Sequence, residues 1–71
     1  MSAPVEAPVF SPWSLGYARR QAGLSVHVLA ASARLSPDLL AQLERGRAEP
    51  SFGAALRLAA VLRVPVTELA I

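Results

Sequence analysis

The side chains of this sequence that could do chemistry are few, and their types favour binding an anion over transforming one. All seven basic residues are arginine, five scattered carboxylates oppose them, and the lone imidazole is His27. Arginine is charged at every working pH and offers a planar fork that matches phosphate oxygens and the guanine edge. An all-arginine set therefore leans toward an anionic partner, although a GC-rich coding sequence writes arginine for lysine just as readily. One histidine and a handful of acids supply no nucleophile with its base, no phosphate-cradling loop and no metal-ligand cluster. Cysteine is absent, which removes disulfides and thiolate zinc sites. The reading is a non-enzyme that needs no metal and no cofactor, and no small-molecule ligand is expected.

The elements that position these side chains follow from punctuation and period. At 71 residues the chain is one domain, near the lower size for a self-sufficient core, so a partner subunit would help it. Hydrophobic residues make up 54% of it, but Arg, Ser, Pro or Gly breaks every apolar run before a membrane-spanning length. The opening Met1-Ser2-Ala3-Pro4 has no basic region followed by an apolar stretch, so no secretory signal is expected and the location is cytoplasmic, on the nucleoid. Pro4, Pro8 and Pro12 forbid a helix and make residues 1–12 a flexible, proline-rich N-terminal arm ahead of a domain over residues 13–71.

From Ser11 or Pro12 the period becomes helical, with Leu15, Ala18 and Ala22 on one stripe and Gly23 at the end. Ser25 caps a second helix over Val26 to Ala33, Arg34 and Leu35 form a turn, and Ser36-Pro37-Asp38 opens a third that stops at Gly46. Ser51 caps a fourth, Phe52 to Leu62, with Phe52, Ala55, Ala59 and Leu62 on its inner face. Val66 to Ala70 is long enough for a last turn. No strand period appears, so the fold class is all-α, a compact bundle of about five short helices.

Two serine-capped helices across a short turn describe a helix-turn-helix. The succession Gly23-Leu24-Ser25, Leu29-Ala30, Leu35-Ser36, Leu43-Glu44-Arg45-Gly46, Pro50-Ser51, Leu62-Arg63-Val64-Pro65-Val66 and Glu68-Leu69 resembles the lambda-repressor-like (Xre) family in order and spacing. The resemblance covers about residues 13–70. It implies a core that includes Leu24, Leu29, Ala30, Leu35, Leu40, Leu43, Ala59 and Leu62, and an internal salt bridge between Arg19 and Glu44.

The resemblance also implies double-stranded DNA as partner, read in the major groove from the start of the third helix by Pro37, Asp38, Leu39 and Gln42. Gln42 can pair with adenine, Asp38 can accept from a cytosine amine, and Leu39 can touch a thymine methyl. Phosphates would fall to Ser25, Arg34, Ser36, Arg45, Arg47 and Ser51. The chain departs from the family pattern at Val26, where a phosphate-gripping glutamine is usual, and at Arg34, where the turn glycine is usual and a left-handed backbone costs about 1 kcal/mol.

A reading helix of three or four side chains covers too few base pairs to select one site, so a homodimer on an inverted repeat is expected, acting as a repressor. Its pairing surface would be Val61, Val64, Pro65, Val66, Leu69 and Ile71. The alternative is a helix-turn-helix turned toward a protein partner, an antiactivator or inhibitor of another regulator. It rests on Val26, Val28, Leu39 and Ala41, which make the normally polar side apolar.

Overall fold

The computed structural model describes residues 10–70. They form α1 (Pro12–Gln21), α2 (Val26–Ser32), α3 (Pro37–Glu44), α4 (Phe52–Leu62) and a last 3-10 turn, Val66–Leu69. Among the described residues the isolated antiparallel bridge Phe10–Ala70 is the sole β pairing. The expected arm falls outside the described residues up to position 9, and its last three residues are built into the folded unit. Phe10 packs against the core, the Ser11 amide donates to the Leu69 carbonyl at 2.8 Å, and Pro12 is the first residue of α1.

The four α-helices are bounded in one way. Each starts at a serine, Ser11, Ser25, Ser36 or Ser51, whose hydroxyl oxygen accepts the amide three residues on at 3.0 to 3.2 Å. Such a bond satisfies one of the orphan amides of a first turn and contributes about 1 kcal/mol. Each ends at a left-handed residue, Gly23, Arg34, Gly46 or Arg63, with φ of 70°, 61°, 73° and 58°. That residue donates to the carbonyl three back and the next residue to the carbonyl five back, as Arg34 does to Ala31 and Leu35 to Ala30. The double closure satisfies carbonyls that the helix end would otherwise leave bare. Glycine carries the left-handed turn without strain at positions 23 and 46, whereas an arginine side chain at 34 or 63 costs about 1 kcal/mol.

The core is built from leucine. Leu15, Leu29, Leu40, Leu43, Leu58 and Leu69 are enclosed, and Ala30, Ala33 and Ala59 lie among them where a larger side chain would hold the helices apart. Leu24 and Leu35, expected inside, are half-buried against this cluster. Each follows a left-handed residue, the position whose apolar side chain folds back over the helix end. Two expectations fail on register. Ala22 is exposed at the end of α1, and Phe52 is 73% exposed. The inward stripe of α4 is Ala54, Leu58, Ala59 and Leu62, and Phe52, two residues before Ala54, is rotated from it by about 200°.

Candidate nucleic-acid interface

Ala33 to Ser36 separate α2 from α3. Ser36 holds the start of α3 by accepting the Leu39 amide at 3.0 Å, and Pro37 at the first position needs no amide partner. Pro37, Asp38 and Gln42 are exposed there. Asp38 and Gln42, four residues apart, stand one above the other on the same face. Leu39 is half-buried and packs against the core, so it offers an edge where the sequence suggested a whole side chain. Arg34 precedes α3, Arg45 and Arg47 flank Gly46 after it, and all three are exposed. Ser25, Ser36 and Ser51 are exposed too, and a hydroxyl that accepts a capping bond keeps its own O–H to donate.

The apolar patch that would divert this face toward a protein is smaller than expected. Val26 and Leu39 pack on the core and Ala41 is half-buried, which leaves Val28, 50% exposed, as its main member. His27 beside it is exposed.

A ring of polar contacts holds α3 in place. Arg19 Nε donates to Glu44 Oε2 at 2.7 Å and Nη2 to Oε1 at 3.1 Å, while Nη1 donates to the Leu24 carbonyl at 3.0 Å. One guanidinium thus joins α1, the end of α3 and the loop entering α2. Its hydrogen bond to Glu44 raises the Arg19 pKa above the ordinary arginine value, against desolvation, with the carboxylate charge adding to the rise. Gly16 permits the close approach, since a Cβ there would stand 3.2 Å from Glu44 Oε1 and 3.1 Å from Arg20 Nη1. Arg57 of α4 donates through Nε to the Ala33 carbonyl at 2.9 Å. Neither Gly16 nor Arg57 stood out in the sequence, because the contact partner of each is far along the chain.

The expected pairing surface is only partly available. Leu69 is 2% exposed and is consumed by the intramolecular core, because the last turn carries it inward onto the leucine cluster. Ile71 lies outside the described residues. Val61, Val64 and Val66 are half-buried against the core and Pro65 is exposed. Val66 also lines an apolar groove of about 320 Å³ with Phe10, Pro50, Phe52, Ala55 and Ala70.

Two short helices set across a four-residue turn, the second with an exposed polar face between flanking arginines, define a helix-turn-helix. The chain belongs to the helix-turn-helix domain family, whose model matches residues 15–70. It is similar in structure to the restriction-modification controller protein C.AhdI from Aeromonas hydrophila, with a TM-score of 0.79 and 31% identity over 82% of this chain and 88% of that one. The clp gene regulator ClgR from Corynebacterium glutamicum matches with a TM-score of 0.79 and 31% identity over 82% of this chain, which spans 62% of that one. The hypothetical transcription factor NHTF from Neisseria, at 19% identity, shares the fold, with a TM-score of 0.79 over 99% of this chain and 90% of that one. No curated protein matches the chain. The fold is therefore that of helix-turn-helix transcription regulators, and the lambda-repressor-like spacing is carried by the elements it implied.

Proposed function

We propose that the chain is a sequence-specific DNA-binding transcription regulator, a repressor that occupies an inverted-repeat operator as a homodimer. The observation that carries this reading is the exposure of Asp38 and Gln42 on one face at the start of α3, with Arg34 before the helix and Arg45 and Arg47 after it. In this reading Gln42 makes the bidentate adenine contact, Asp38 accepts from a cytosine amine, and Pro37 with the edge of Leu39 meets thymine methyls. The three arginines and the hydroxyls of Ser25, Ser36 and Ser51 hold phosphates, which set register and carry no sequence information. Asp38 faces a polyanion, so it contributes selectivity and not affinity. Such a regulator works on the nucleoid, and no helix among the described residues is long and apolar enough to cross a membrane.

A homodimer supplies the second half-site, with reading helices about 34 Å apart. Val61, Val64, Pro65 and Val66, together with Ile71 five positions further on, form the pairing surface, continued by the groove beneath Phe52; Leu69 supports it from the core. The protein-docking alternative rests on Val28 and is the weaker reading. The test is selection of duplexes from a random library followed by mobility shifts of the enriched duplex over a salt series. Enrichment of an inverted repeat with a steep salt slope supports the reading, and no shift at low salt refutes it.

A further inference from the structure

The bond from Arg57 to the Ala33 carbonyl joins elements 24 residues apart, and its acceptor is backbone, so the bond depends on the arginine alone. Ala33 caps the end of α2 and is fully buried. The two amides that close α2 go to Ala31 and Ala30, and the Ala33 carbonyl stands outside that closure. Terminal carbonyls carry the partial negative charge of the helix, so a guanidinium makes a charge-assisted bond there. The head group folds back along α4 over Gly53, whose added Cβ would meet Arg57 Nη1 at 3.6 Å. The residue after Ala33 is Arg34, left-handed at φ 61° without a glycine's freedom.

We infer that Arg57 is a positioning residue for DNA reading, a latch that fixes the α2–α3 turn against α4. The inference rests on the DNA-binding reading above. α4 is capped by Ser51, one of the phosphate contacts in that reading, and α3 presents Asp38 and Gln42. The latch ties the helix that starts at the phosphate to the turn that aims the base-reading face. Without it, both contact sets persist, but their relative placement is no longer held. Specific binding, which needs both at once, then falls further than binding that rests on charge.

The competing role for Arg57 is a phosphate contact through its outward nitrogens, and salt dependence separates the two. Affinities are measured for the duplex that the wild-type chain enriches from a random library and for a shuffled duplex, at a temperature where circular dichroism shows every variant folded. Arg57→Met keeps the stem and removes the head group. The expected result is a roughly tenfold fall in the enriched-to-shuffled affinity ratio with an unchanged salt slope. Arg57→Lys, which keeps the charge without the fork, gives a smaller fall in the ratio and the wild-type slope. Ser11→Ala, which uncaps α1 beside the last turn, lowers Tm while leaving the ratio unchanged, so lost stability alone does not produce the effect. An unchanged ratio in Arg57→Met overturns the latch. Equal losses on both duplexes with a slope smaller by about one overturn it in favour of a phosphate contact. A wild-type chain that enriches and shifts no duplex overturns the DNA reading, and the latch's function with it.

Discussion

Arg34 and Arg63 hold the same left-handed conformation at the ends of two different helices, φ 61° and 58°, yet only Arg34 lies in the turn that leads into α3. Glycine at either position relieves the side-chain strain, so Arg34→Gly and Arg63→Gly should each raise stability by about 1 kcal/mol, a few degrees in Tm. Their effects on DNA should differ. Arg34→Gly should weaken enriched and shuffled duplexes alike and reduce the salt slope by about one, while Arg63→Gly should leave both unchanged. Thermal melts beside a salt series check this. Two variants that melt below wild type would show that the turns tolerate arginine without strain.

The Arg19–Glu44 fork is largely covered, with side chains 15% and 14% exposed. Glu44→Ala strands the guanidinium and should cost about 2 kcal/mol, roughly 10 °C in Tm, without altering base preference. Because its folded pKa is raised, the contribution of Arg19 is fully present below the ordinary arginine range and is lost only at more alkaline pH. A Glu44→Ala chain that melts like wild type would mean the pair contributes nothing net.

Gln42 and Arg47 should separate base reading from anchoring. Gln42→Ala should relax preference at one base pair per half-site at a cost of about 1 to 3 kcal/mol. Arg47→Ala should weaken every sequence equally and flatten the salt slope. Selection repeated with each variant reads the difference, and equal losses on specific and random DNA for both would remove Gln42 from the base-reading role.

The proposed homodimer should depend on Val66, which belongs to the proposed pairing surface and lines the groove beside Phe52. Sedimentation at tens of micromolar should give a dimer for the full chain, a monomer for Val66→Glu, and a dimer for a chain lacking residues 1–9. A full-length monomer ends the dimer proposal. A dimer that survives Val66→Glu but not the truncation places the interface at the N-terminus.

What the sequence made legible was local. A serine before an apolar run announces a helix start wherever it falls, and glycine at 23 and 46 announces an end, so the starts of α1 to α4 and the ends of α1 and α3 could be read directly. Arg34 was readable as left-handed only through the family pattern, and Arg63 was not readable at all, since arginine bears no mark of that conformation. Phe52 was misplaced because α4 is apolar nearly all round, and a helix without a polar face does not declare which side is inward. Leu69 could be counted for the core or for a partner with equal right until the last turn was seen to point it into the core. The separation of 25 from Arg19 to Glu44 meant nothing by itself, and the pairing came from the resemblance. Arg57 left no trace because its acceptor is a carbonyl, which every residue possesses.

The Phe10–Ala70 bridge gives the described chain adjacent points of entry and exit. Tension applied through those two points does not shear the leucine core; it loads the 2.8 Å rung between the Ser11 amide and the Leu69 carbonyl. Local opening begins where few contacts hold the chain, and this corner rests on that rung and on the Phe10 and Leu69 side chains. A copy tethered on both sides would therefore surrender its Leu69 corner under load while α2 and α3 still kept their mutual angle.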